Sequence, residues 1–149
     1  TIYGRFRSLT DESRPLDPLL VSKLSEEQLR GCGLSRAKSA AIQDLSAKTL
    51  EGVVPGHVSL APLSDQDIID RLISVRGIGP WSVKMYLMFR LGRPDVLPQT
   101  DLGIRKGVMR TYGLPRMPTP EQVIDLAEDW RPFRTLASWY LWRSLELDQ

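Results

Sequence analysis

The chain has 149 residues, 42% apolar and 26% charged, with 20 Lys/Arg against 18 Asp/Glu. That is ordinary globular composition, long enough for one domain with its own core. No run approaches the roughly 18 apolar residues of a membrane span, and the lone Cys32 excludes an internal disulfide or a cysteine-ligated iron–sulfur cluster within this chain.

The predicted elements are helices joined by short Pro/Gly loops. Gly31-Cys-Gly33 breaks the chain. Ser35 then caps a helix over Arg36–Leu50, which Gly52 stops. Residues 53–62 read as a Pro/Gly-rich connector that carries His57. Ser64 caps a helix over Asp65–Val75, with Ile68, Ile69, Leu72 and Ile73 on one side. Trp81–Leu91 is a second helix, apolar around much of its circumference and expected to be largely buried. After the turn at residues 92–95, a third helix spans Asp101–Tyr112 and ends at Gly113. Thr119 and Pro120 open a fourth, running to about Trp130. Pro132 opens the last, through about Leu145. Strand signals are weak, so the fold class is all-α, with about eight helices.

Charge is unevenly distributed. Residues 76–116 carry eight Lys/Arg and two Asp/Glu, net +6, while residues 51–75 and 117–149 are each net −3. Clustered cations of this kind fit a polyanion such as nucleic acid, although a helical surface also clusters charge by chance.

The basic block begins at Val75-Arg-Gly-Ile-Gly-Pro-Trp81, a tight turn between two apolar helices. Glycine suits positive φ and close backbone approach. The start of the following helix offers free N–H groups and a partial positive charge, a seat for phosphate. Taken alone, Gly-x-Gly also suits a helical hairpin that binds nothing. Downstream, Leu97-Pro-Gln-Thr-Asp101 puts a carboxylate at a helix mouth. Alone, Asp there is an ordinary N-cap. Beside a DNA-backbone grip it suits N-glycosidic cleavage, because a fixed carboxylate opposes the positive charge that builds on the sugar.

These motifs resemble the helix–hairpin–helix DNA glycosylases that share a Gly/Pro-rich loop and an essential Asp, in particular the 3-methyladenine DNA glycosylase II branch. The resemblance continues through Asp101-Leu-Gly-Ile104 and Ala127-Glu-Asp-Trp-Arg-Pro-Phe-Arg134 and includes Thr1–Phe6. It implies a two-lobed helical glycosylase domain over residues 1–149 with its cleft between the lobes, incomplete at the N-terminus. The helix–hairpin–helix motif spans 65–91.

The resemblance also implies roles. Asp101 falls on the catalytic Asp. The N–H groups of Gly77, Gly79 and Trp81 become phosphate donors. Lys84, one turn on from Trp81 and off the family's lyase position, reads as a solvated or phosphate-facing lysine that can contact DNA. Carbonyls of Ile73, Val75 and Ile78 become ligands of a monovalent cation, Na+ or K+, bound with DNA. No cofactor is required for the chemistry. Trp81 and Trp142 match base-pocket aromatics, and Met85 stands where a relative has a further aromatic. Trp130 and Trp139 are assigned to the core. Members that also cut the strand carry Lys at the position of Trp81, and an indole cannot form a Schiff base. The implied activity is therefore monofunctional excision of bases such as 3-methyladenine and 7-methylguanine.

The expected partner is duplex DNA containing alkylated bases, with no membrane and no second copy of the chain. The expected location is intracellular: cytoplasm or nucleoid in bacteria, nucleus in eukaryotes. The alternatives are a non-catalytic helix–hairpin–helix module, which needs neither Asp101 nor the indoles, and a bifunctional glycosylase/lyase for oxidised bases. Were Asp101 not the acid, Asp95 is the nearest candidate in sequence.

Overall fold

The computed structural model describes residues 1–10, 13 and 15–146. Among them all regular structure is helical, with no strand. The chain forms two compact units that meet in sequence between Gly79 and Pro80, inside the 65–91 motif.

The first unit holds α1 (Ile2–Arg7), α2 (Pro18–Ser22), α3 (Glu26–Gly31), α4 (Arg36–Leu50), α5 (His57–Leu60) and α6 (Asp65–Ile73). Serines set the helix starts: Ser25, Ser35 and Ser64 each accept the amide three residues on, and Ser25 forms a capping box with Gln28. α2 and α3 pack on α4. Phe6, Val21, Leu29 and Cys32 form a core cluster, so the cysteine acts as a small buried apolar side chain.

Ten α-helices are present among the described residues, against about eight expected. The connector at 53–62 contains α5, and His57 begins that helix rather than lying in a loop. Four residues carry no readable periodicity. α6 also stops at Ile73, two residues short of the expected Val75, because the Ser74 amide turns back to the Leu72 carbonyl.

The second unit holds α7 (Pro80–Phe89), α8 (Leu102–Thr111), α9 (Pro120–Ala127), a 3-10 turn (Glu128–Trp130) and α10 (Arg134–Ser144). Pro80 and Pro120 occupy first helical positions, and Thr119 forms a capping box with Gln122. α10 begins two residues after Pro132. Its core gathers Leu97, Ile104, Val108, Val123, Ala127 and Leu141, flanked by Trp130 and Trp142.

Two burial expectations fail. α7 buries Val83, Leu87 and Met88 but leaves Trp81 46% and Phe89 64% exposed. Trp139 is 47% exposed and does not belong to the core, whereas Trp130 does pack against it.

α8 and α10 approach closely. A Cβ on Gly107 would lie 2.8 Å from the Leu141 carbonyl oxygen and 2.9 Å from the Leu141 Cβ. In an open helix, Gly→Ala gains about 1 kcal/mol. Here overpacking, about 1–3 kcal/mol, outweighs that gain. Gly107→Ala is therefore expected to lower the denaturant midpoint at unchanged m-value.

Candidate active site and nucleic-acid interface

Asp101 is the N-cap of α8, and its Oδ1 accepts the Ile104 amide at 2.9 Å. A plain cap would stop there. Instead Trp142 Nε1 donates to Oδ1 at 2.8 Å, and Trp81 Nε1 donates to Oδ2 at 2.8 Å. The two indoles come from α10 and from the first turn of α7, so three helices of the second unit converge on one carboxylate. Burial pushes this carboxyl up. Donation from Trp142, Ile104, Trp81 and Gly103 outweighs burial and holds it below the ordinary Asp value. All four donors are neutral, so the carboxylate keeps its net negative charge.

Gly103 makes the approach of Trp142 possible. A Cβ there would lie 2.7 Å from Trp142 Cδ1 and 3.1 Å from Asp101 Oδ1. Beside the carboxylate, the Trp142 ring stacks on Phe89, with centroids 6.0 Å apart and planes at 29°. Trp81, half-buried Met85 and Phe89 recur every fourth residue along α7.

The loop carrying Asp101 is tied to the start of α10. Asp95 takes Arg134 Nε at 2.7 Å and Nη2 at 3.0 Å, and Arg131 Nη1 at 2.9 Å. Thr135 adds a hydroxyl–amide bond to Val96 at 3.0 Å. Burial pushes the Asp95 carboxyl up, but the arginines hold it below its usual value. Asp95 is therefore a loop anchor, and Asp101 is the carboxylate among the aromatic rings. Lys84 donates to the Gln99 side-chain oxygen in the same loop. Burial, helped by the nearby Arg134 charge, lowers its pKa. Its ammonium is thus engaged by the loop rather than held out to solvent.

The hairpin turn behaves as its glycines require. Gly77 has φ +78°, where any side chain is strained. Gly79 needs no such freedom, and its missing Cβ faces open space. Neither the Gly77 nor the Gly79 amide has a protein acceptor among the described residues. The Val75 carbonyl accepts the Ile78 amide at 3.1 Å, while those of Ile73 and Ile78 accept none outside regular helix bonding. Uncharged carbonyls alone suit a weakly held monovalent cation, since divalent ions draw on carboxylates. No cluster of three His, Cys, Asp or Glu side chains occurs among the described residues.

α4 supplies two residues that sequence reasoning missed. Asp44 accepts the Arg76 amide at 2.6 Å, and Lys48 donates to Asp44 at 2.8 Å and to the Ser74 carbonyl. Nothing in their spacing from the turn signals these bonds. Phe89 was missed as well; the only signal for it is its place one turn beyond Met85.

Residues 2–132 match the HhH-GPD superfamily base excision DNA repair protein family. DNA-3-methyladenine glycosylase 1 of Schizosaccharomyces pombe is 36% identical over 146 residues, 98% of this chain and 64% of that protein. Among solved structures, the S. pombe 3-methyladenine DNA glycosylase Mag1 in complex with abasic DNA matches with TM-score 0.86 and 36% identity. The match covers 97% of this chain and 70% of that one. A DNA-3-methyladenine glycosidase from Bacillus halodurans matches with TM-score 0.82 and 31% identity over 96% of this chain and 65% of that one. The chain is a member of the HhH-GPD superfamily of base excision DNA repair proteins, and it spans about two thirds of the length of these relatives.

Trp142→Phe keeps an aromatic ring and removes one donor to Asp101. The Asp101 carboxyl is then expected to titrate at higher pH, read from its carboxyl carbon by NMR. The sign follows from the direction of the shift: a depressed folded pKa contributes stability above the unfolded value that is lost as pH falls through the folded one. The variant should therefore lose less stability on acidification than wild type. An unmoved titration would mean that this indole does not hold the charge.

Proposed function

We propose that this chain is the helical part of a monofunctional DNA glycosylase that flips alkylated bases from duplex DNA and hydrolyses their N-glycosidic bonds in base excision repair. The observation that carries this reading is the Asp101 carboxylate, kept ionised by neutral indole and amide donors beside exposed aromatic rings. As the base departs, positive charge builds on the deoxyribose. A carboxylate whose charge no cation cancels opposes it. Water then adds to the sugar. A purine alkylated at N3 or N7 is itself cationic, so it leaves with little protonation and binds electron-rich ring faces of Trp81, Trp142 and Phe89. Lys84 fits the role of loop brace better than that of phosphate ligand.

The hairpin supplies the grip. Amides of Gly77 and Gly79, followed in sequence by Trp81 at the start of α7, take a phosphate. A monovalent cation on the carbonyls of Ile73, Val75 and Ile78 would add positive charge facing that phosphate. The relative solved with abasic DNA supports duplex DNA as the partner. Work on chromosomal DNA fits a nucleoid or a nucleus.

The test is base release from methylated duplex. Free base, with strand scission only after alkali, supports the reading. Scission without alkali indicates a lyase, and binding without release indicates a non-catalytic module.

Asp101→Asn should lower single-turnover excision on the order of 100-fold or more, with near-normal binding to abasic duplex. The amide still caps α8, but it presents its NH2 to one indole N–H and has no charge. Neutral substrates should lose more than 7-methylguanine, which departs partly unaided.

Gly79→Asp puts a carboxylate into open space at the grip without a steric clash. It should weaken damaged and undamaged duplexes alike, measured by fluorescence anisotropy, because phosphate contacts carry no sequence information. Full affinity in a folded variant would remove the hairpin from the interface.

A further inference from the structure

The hairpin turn makes few hydrogen bonds of its own. Between Ser74 and Gly79 the only bond within the turn runs from the Ile78 amide to the Val75 carbonyl. Further polar contacts reach it from α4. Ala41, Asp44 and Lys48 form a stripe at i, i+3, i+7 facing the turn. A Cβ on Gly77 would touch Ala41 Cβ at 3.4 Å. Asp44 Oδ2 accepts both the Arg76 amide at 2.6 Å and Lys48 Nζ at 2.8 Å, and Lys48 also holds the Ser74 carbonyl. The signs match the backbone. The carboxylate meets an N–H, and the ammonium meets a carbonyl at the negative end of α6. An exposed i,i+4 ion pair alone contributes little. This pair is only 24% and 30% exposed, and each member also fixes a backbone group of the turn.

We propose that Asp44 and Lys48 are positioning residues that preorganise the hairpin turn for the DNA backbone, without themselves touching DNA. The inference rests on the hairpin being the DNA grip. Holding the turn before DNA arrives removes an ordering cost from binding. Lys48 then raises affinity while releasing no counterion, which separates it from an ordinary phosphate-binding lysine.

The test measures affinity of the full chain for undamaged and methylated duplex across a KCl series. Asp44→Ala and Lys48→Met are each expected to weaken both duplexes on the order of tenfold, at unchanged salt slope, and Lys48→Arg is expected to restore part of the loss. The loss should fall on the protein concentration needed for half-saturation rather than on the saturated single-turnover rate. A slope reduced by about 1 in Lys48→Met would make Lys48 a direct phosphate ligand and overturn the inference, as would wild-type affinity in a folded variant. Should Asp44→Ala not fold, Lys48→Met and Lys48→Arg carry the same test. Gly79→Asp in parallel separates the two failures. If it binds weakly while the α4 variants bind normally, only the positioning role falls. If it also binds normally, the hairpin is not the grip.

Discussion

α8 and α10 cross so closely at Gly103 and Gly107 that neither position has room for a methyl group. The two glycines stand one turn apart on the face of α8 that α10 packs against. Gly107 admits the Leu141 backbone, and Gly103 admits the edge of the Trp142 ring. Because residues 141 and 142 are neighbours, packing Leu141 into the core also brings the Trp142 indole to the mouth of α8. There Asp101 waits as the cap. The site thus depends on a packing contact: core closure delivers the donor that keeps the carboxylate ionised.

The same logic fixes the loop from Gly92 to Asp101. Besides its own Asp101 amide to Pro98 carbonyl bond, it is held from outside, through Asp95 on Arg134 and Arg131, through Thr135 on Val96, and through Lys84 on Gln99. Every one of these outside partners lies on α10, just before it, or on α7. The helices that carry Trp142 and Trp81 therefore also hold the loop that carries Asp101. A displaced α10 would lose the indole and the loop together, so geometry at Asp101 is expected to fail cooperatively.

Much of this was readable in the chain. Helix starts were legible where a side chain announces them, at Ser35, Ser64 and Thr119, because capping is local chemistry. Asp101 and the hairpin stood out only in combination: alone, Gly-x-Gly also makes a turn that binds nothing and Asp is an ordinary helix cap, and their roles came from the resemblance that the motifs carry together. Helices of four to six residues, such as α5, were not legible, since they complete barely one turn and show no period. Burial of α7 was misjudged because composition cannot separate an apolar face packed in a core from one left open beside a carboxylate. Trp139 went astray for the same reason. Long-range bonds, such as Asp44 to Arg76 or the indoles to Asp101, leave no trace in spacing. Trp81 and Trp142 were legible as rings, but their N–H groups had no visible target.

Asp95 and Asp101 lie six residues apart, and both are held below the usual carboxylate range, for opposite reasons. Around Asp95 the holding groups are two guanidinium cations, so its charge is neutralised where it stands. Such a carboxylate fixes a loop well and opposes an incoming cation poorly. Around Asp101 the holding groups are two indole N–H and backbone amides, dipoles that stabilise the anion and leave its charge intact. A lysine at residue 81 would place an ammonium there and cancel that charge, besides offering a nucleophile. Tryptophan does neither. The identity of one residue at the start of α7 therefore bears on two properties at once: residue 81 itself offers no amine to form a Schiff base, and the donor it gives Asp101 carries no charge.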